Sequence, residues 1–124
     1  MKRTYMISSV IATLLMSAAA LAHSADVKKT NGMLVSASGM TVYTFDKDVA
    51  DNGKSACAGP CTGLWPAVTT TDTNLKAPYG AIKRDDGTMQ LTYKGKPLYI
   101  YSGDKKPGDA TGDNFKDIWH AAKD

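Results

Sequence analysis

An all-β fold made of two related β-hairpin repeats is what the sequence predicts, and three observations carry that expectation. Past its N-terminal segment the chain matches itself at an offset of 56 residues, and the matched stretches alternate apolar and polar residues around a glycine. All twelve acidic residues are Asp and none is Glu. Alternation at period two is the mark of a half-buried strand. Asp favours turns and caps over helix interiors, so the acid content argues against a helical bundle. With 124 residues, 43% hydrophobic and 22% charged, the chain is of ordinary globular composition and long enough for one core.

The first residues read as an address. Lys2 and Arg3 precede a largely apolar run from Ile7 to Leu21, and Ala20-Leu21-Ala22 offers small residues to a signal peptidase. Ser8, Ser9, Thr13 and Ser17 interrupt the run, which falls short of the continuous apolar stretch of about 20 residues a membrane span needs. The expectation is a secretory signal peptide over 1–22, cleaved after Ala22 or alternatively after Ala25, followed by a single β domain over 23–124. The protein is then periplasmic or secreted. No Cys lies near the cleavage point to accept a lipid, so no lipid anchor is expected. Loss of Lys2 and Arg3 lowers the formal charge from +3 to +1, and the remaining Lys28-Lys29, Lys83-Arg84 and Lys105-Lys106 are isolated pairs. Nucleic-acid binding, which needs clustered cations, is not expected.

The repeats span about 32–66 and 88–120. Met33 to Asp48 lies over Met89 to Asp104 without a gap, with Met33/Met89, Gly39/Gly95, Tyr43/Tyr99 and Asp48/Asp104 identical. In each copy Val35 and Ala37, or Leu91 and Tyr93, supply the alternating apolar face; Gly39 or Gly95 marks the turn; and Val42 to Phe45, or Leu98 to Tyr101, continues as a strand. Ala81 to Arg84 is a shorter strand ending in the turn Asp85-Asp86-Gly87. The segments at Leu64-Trp65 and Ile118-Trp119 are candidates for one further strand per copy. Residues 46–63 and 102–116 are long loops dense in Gly, Asp, Asn, Lys and Pro, and the little helix expected is a turn around Asp117 to Ala122. A lone hairpin is marginal in water, so the copies are expected to bury their apolar faces against each other or to extend a common sheet.

Cys57 and Cys61 are the only cysteines, and in an exported chain they are expected to pair. The loop they close is so short that the chain-entropy effect is about 2 kcal/mol, a local staple. The alternative is a thiol-disulfide redox couple, for which Lys54 is the nearby cation that would lower a thiol pKa. A tetrahedral metal site at this pair lacks neighbouring ligands.

Tyr43-x-Phe45-x-x-Asp48 and Tyr99-x-Tyr101-x-x-Asp104, together with Cys57-x-x-x-Cys61 before Trp65-Pro66 and Asp85-Asp86-Gly87-Thr88 leading to Tyr93-x-Gly95-x-Pro97, carry a resemblance. The chain resembles the bacterial exported repeat family of predicted lipoproteins with a Tyr-x-aromatic-x-x-Asp motif, a secreted repeat of unknown function. The resemblance covers about Gly32 to Trp119 and supplies a class without a mechanism. The absent lipid-acceptor Cys keeps membrane tethering from being carried over.

Rings two residues apart share a strand face, and the Asp follows where the strand yields to a loop. Tyr43, Phe45, Asp48, Tyr99, Tyr101 and Asp104, with Trp65 and Trp119, therefore form either a structural set of core rings with Asp caps or a shallow aromatic and carboxylate site for a cation or small polar ligand. The structural reading is favoured because the set occurs twice. The acidic stretch Asp46-x-Asp48-x-x-Asp51 fails the EF-hand template, since Ala50 takes the fifth position and Cys57 the twelfth. An irregular oxygen site there, or at Asp109, Asp113 and Asp117, is a metal-handling alternative. Met33, Met40 and Met89 read as core filler before soft-metal ligands. His120 beside Trp119 has no partners in sequence for nucleophilic catalysis, and no Gly-rich phosphate loop is present. The expectation is a non-enzymatic binding or structural module of the cell envelope with no cofactor and an unidentified envelope partner or small ligand; the alternatives are metal handling through loop Asp residues and redox work through Cys57 and Cys61.

Overall fold

A computed structural model describes residues 27 to 123; the segment expected to be a signal peptide and the cleavage positions expected at Ala22 or Ala25 lie outside the described residues. The chain runs β1 (Val27–Thr30), β2 (Met33–Ser36), β3 (Tyr43–Phe45), a single helical turn α1 (Cys61–Leu64), β4 (Tyr79–Lys83), β5 (Met89–Tyr93), β6 (Lys96–Pro97), a 3-10 turn at Phe115–Asp117, and β7 (Trp119–Ala121). All strand pairs are antiparallel: β1 with β2, β3 with β7, and β4-β5-β6 in one three-stranded sheet. Among the described residues no helix is long and apolar enough to cross a membrane.

The two tight hairpin turns follow from local chemistry. Asn31 and Gly32, between β1 and β2, both take positive φ (53° and 79°), as do Lys94 and Gly95 between β5 and β6 (52° and 82°). Two left-handed residues in succession make the turn whose twist matches antiparallel strands. At Gly39 the first repeat closes more loosely: the Gly39 amide donates to the Ser36 carbonyl at 2.9 Å and the Val42 amide to the Leu34 carbonyl at 3.2 Å, with a bridge between Val35 and Thr41.

The repeats are joined by exchange of their ends. The last strand of the second repeat, β7, pairs with β3 of the first, setting Tyr43 opposite Ala121 and Phe45 opposite Trp119. The end of the first repeat returns the arrangement, with Ala67 bridging Tyr99 and Thr69 bridging Gln90. Between them Tyr43 and Tyr99 exchange both backbone bonds, at 2.7 and 2.9 Å. Other bonds come in matched pairs: Ala122 to Val42 with Val68 to Leu98, and Asp46 to Ile118 with Ser102 to Leu64. The contacts repeat as they would about a two-fold axis passing between Tyr43 and Tyr99.

Two apolar clusters result, and each draws on both repeats. One is aliphatic, built on Leu34, Val42, Val68, Leu91, Leu98 and Ala122; the other is aromatic, built on Tyr43, Phe45, Trp65, Tyr99 and Trp119. Neither hairpin could supply either cluster alone, so burial of apolar area couples the formation of one repeat to that of the other.

The all-β expectation, with two repeats and almost no helix, agrees with this architecture. Several details differ. The helical turn expected over Asp117 to Ala122 is instead the 3-10 turn followed by β7, because Trp119 and Ala121 alternate inward with His120 and pair with β3. Residues 61–63, read as loop, and Leu64, read as the start of a candidate strand, form α1, whose last turn closes with the Trp65 amide on the Cys61 carbonyl at 2.9 Å. β1 went unread although Asn31-Gly32 is a strong hairpin signal. The inward residue of β2 is Leu34, not Val35 or Ala37, and Gln90 is buried beside Leu91. The cross-repeat partners of β2 and β5 decide this, covering positions that a lone hairpin would leave to solvent. Met89 is 37% exposed, so it is not core filler.

Candidate functional site

The residues of the Tyr-x-aromatic-x-x-Asp motif converge in the aromatic cluster, and they do so across the repeat boundary. The Tyr43 hydroxyl donates to Asp104 Oδ2 at 2.7 Å, and the Tyr99 hydroxyl donates to Asp48 Oδ2 at 2.6 Å. Each tyrosine therefore serves the carboxylate of the other repeat. The second oxygen of each Asp closes its own loop: Asp48 Oδ1 accepts the Ala56 amide at 2.5 Å, and Asp104 Oδ1 accepts the Thr111 amide at 2.9 Å and its hydroxyl at 2.6 Å. Each tyrosine oxygen has a further neighbour, the Gly112 amide for Tyr43 and the Ser55 hydroxyl for Tyr99.

Strand geometry places these groups. Tyr43 and Phe45 sit two apart on β3 and both point inward, as the period of a strand requires. Just past each strand the chain turns, with the Asp48 amide on the Phe45 carbonyl at 3.0 Å and the Asp104 amide on the Tyr101 carbonyl at 3.1 Å. That turn aims each carboxylate back beneath the strand it follows.

Trp65 and Trp119 stack at the centre, 3.8 Å apart and parallel within 1°. Phe45 lies on the outer face of Trp119 at 4.1 Å and Tyr101 on that of Trp65 at 4.3 Å, giving the order Phe45, Trp119, Trp65, Tyr101. Tyr43 and Tyr99 meet the edges of Trp65 and Trp119 at 5.3 and 5.0 Å. Contacts of this kind add about 0.5–1.5 kcal/mol each beyond area burial. All eight residues singled out from the sequence thus lie in one assembly.

Electrostatics follow from burial. Both tyrosine hydroxyls are pushed above the ordinary tyrosine range, first by burial and then by the carboxylate each one serves. Burial also raises the Asp48 carboxyl above its usual range, opposed by the Ala56 amide and the Tyr99 hydroxyl. These groups hydrogen-bond one another inside the core: Tyr43 and Tyr99 are fully buried, Asp48 and Asp104 nearly so.

Cys57 and Cys61 are joined, with S–S 2.05 Å, and no other cysteine is present among the described residues. Among the described residues no three His, Cys or Asp side chains converge as a metal site. Asp109 accepts the amides of Lys105 and Lys106, and Asp113 accepts that of Ala121. Asp46 instead bonds His120 Nε2 at 2.8 Å, while Asn114 meets His120 Nδ1. His120 is thereby tied on both nitrogens.

An open concavity lies elsewhere. A cleft of about 460 Å³ runs between the disulfide loop, at Lys54, Ser55 and Thr62, and the end of β4 with its turn, at Lys83, Arg84 and Asp86. Sequence reading missed it, because its two walls are distant in the chain; the Lys83-Arg84 pair was its one visible trace.

A model of the family described as a secreted repeat of unknown function matches residues 26–69 and 80–123. The chain belongs to that family. The two matched segments are the two halves that exchange their ends here, so the repeat and the fold unit coincide, and the family's description makes this an exported protein. No curated protein and no solved structure matches the chain.

Proposed function

We propose that this secreted-repeat protein is a non-enzymatic binding module of the cell envelope, delivered to the periplasm or beyond by cleavage of the segment over 1–22, and that the cleft beside the disulfide loop is its ligand-facing surface. One observation carries the reading. The motif residues are spent on each other, Tyr43 on Asp104 and Tyr99 on Asp48, in a buried cluster with no room for a substrate. Accessible and concave, with three cationic side chains gathered along it, is the cleft; a second hollow, of about 400 Å³ and lined by Asp51, Thr92 and Lys94, brings one cation.

The redox alternative has less support. Cys57 is fully buried and its sulfur packs among the aromatic rings, so an attacking thiol meets only the partly exposed Cys61. The metal alternative finds Asp48, Asp109 and Asp113 engaged with backbone amides and Asp46 with His120.

The test mixes isotope-labelled mature protein, residues 23–124, with the small-molecule fraction of a periplasmic extract. Amide shifts confined to residues 53–62 and 82–86, with the extract chemically unchanged afterwards, support the binding reading. Conversion of any component, or shifts centred on Trp65 and Trp119 instead, overturns it.

A further inference from the structure

The two halves differ at a buried position that supports the cleft. At the offset of 56, Gln90 stands where the first repeat has Leu34, and both side chains are fully buried. Leu34 shows that an aliphatic side chain fills this place in the fold without difficulty. Burying an amide there gains nothing for packing and obliges every polar atom to find a partner. Gln90 finds them: its Nε2 donates to the Leu98 carbonyl at 2.7 Å, its Oε1 accepts from Arg84 Nη1 at 2.8 Å, and its side chain also meets the Tyr99 hydroxyl.

Arg84 is thereby fixed. Its Nη2 donates to the Cys57 carbonyl at 2.7 Å, which ties the β4 wall of the cleft to the disulfide loop. Cys57 is in turn held by the bond to Cys61. A guanidinium has five N–H donors in a rigid planar fork, and the protein uses two of them here. A half-buried Arg side chain lining a cleft, clamped on one edge by a buried amide and a carbonyl, is preorganised in the way oxyanion binding requires. Lys54 and Lys83 line the same cleft and add positive charge. Two acids, Asp85 and Asp86, stand at its rim; Asp86 accepts from the amide and hydroxyl of Thr88 at 2.9 and 2.6 Å and keeps its charge, so Arg84, Lys54 and Lys83 face two carboxylates and leave the cleft net positive.

We infer that the cleft binds a small soluble oxyanion, a carboxylate or phosphate group, with Arg84 as the residue that pairs with it and Gln90 as the residue that positions Arg84. This deepens the binding reading above and rests on it. The binding is a plain ion-pair and hydrogen-bond association with no covalent step.

The experiment titrates mature protein with citrate and, separately, with inorganic phosphate, following amide shifts at low ionic strength. Saturable shifts confined to residues 53–62 and 82–86 are expected with at least one of the two. Arg84→Gln should weaken that binding by about tenfold or more, because the fork is lost. Since Arg84→Gln also unties Gln90 and Cys57, the double variant Lys54→Gln/Lys83→Gln provides the second arm; it leaves the clamp in place and should weaken binding by a smaller factor. No saturable shift with either anion, or affinities unchanged in both variants, overturns the inference. N-acetylglucosamine and putrescine serve as neutral and cationic probes. Binding of either in the cleft where the anions fail overturns the oxyanion assignment and leaves the binding module standing, whereas failure of every probe counts against both.

Discussion

The loop that follows β3 in the first repeat and the loop that follows Tyr101 in the second do the same work by different means. Both must carry a backbone amide to a buried carboxylate and cover one end of the ring stack. In the first repeat the loop is closed by the Cys57–Cys61 bond, with Ala56 on Asp48. In the second no covalent link closes it, and side-chain oxygens hold it: Asp104 on Thr111, Asp109 on Lys105 and Lys106, Asp113 on Ala121. Asn114, Lys116 and Asp117 there all take positive φ, a conformation that disfavours most side chains and is held by surrounding contacts. Gly112 sits so close to Trp65 that a Cβ would lie 2.6 Å from its ring. The hydrogen-bonded loop folds down on the rings at Gly112, while the stapled loop touches them through Cys57 and Cys61 and turns its outer residues to form a wall of the cleft. A short covalent link fixes a loop without needing contact along its length; a set of Asp caps needs that contact.

The equivalence of the halves is tested most severely at the centre. Trp65→Ala and Trp119→Ala should each cost about 3–5 kcal/mol, since each removes a buried ring from the middle of the stack. Urea denaturation of the two variants should give similar losses. A loss confined to one of them would break the two-fold relation.

Tyr43→Phe and Tyr99→Phe come next. Each leaves a buried carboxylate without one of its donors, at a cost of about 1.5–3 kcal/mol. The same denaturation assay should show a smaller cost for Tyr99→Phe if Ser55, already 2.5 Å from that hydroxyl, turns its proton to the space left behind.

Reduction of the disulfide separates the two loops directly. It should lower stability by about 2 kcal/mol at most, the chain-entropy value for so short a loop. Amide exchange measured before and after reduction should rise over 49–60 and stay unchanged over 102–114. A parallel rise in both would show that the staple serves the whole molecule.

The smallest effect is in the pH dependence of Asp48. Its carboxyl is raised in the folded protein by burial, so the folded state takes up a proton at higher pH than the unfolded chain does. This contribution to stability is smallest at neutral pH, rises as pH falls through the folded pKa, and is complete below the unfolded value. Asp48→Asn removes it, and the gap in stability between wild type and Asp48→Asn, followed by denaturation from pH 7 downward, should shift in favour of wild type as the pH falls. A gap that shifts the other way would show the carboxylate to be stabilised by its donors more than it is penalised by burial.

Much of the fold was legible in the sequence because a repeat at constant offset, with glycines at the turns and alternating apolar residues, leaves few arrangements open. Tyr43, Phe45, Asp48 and their counterparts were recognisable as a set on one strand face followed by a cap. Which Asp each tyrosine would serve was not legible. Local geometry suggests that Asp48 belongs with its own repeat, yet Tyr99 reaches it from the other. The same holds for β7: Trp119 to Ala121 is short and contains a histidine, and it becomes a strand only because β3 lies beside it. Gln90 reads as a surface residue from its neighbours and is buried because Arg84 and the Leu98 carbonyl meet its amide.

By itself the sequence determined the export class, the two repeats, the antiparallel hairpins and the short reach of the disulfide, because these rest on composition and on periodicities a few residues long. The tertiary structure alone decided the exchange of ends, the four-ring stack, the cross-repeat pairing of Tyr and Asp, and the cleft under Arg84. Those depend on groups some 30 to 75 residues apart in the chain, brought together because neither hairpin can bury its apolar face without the other.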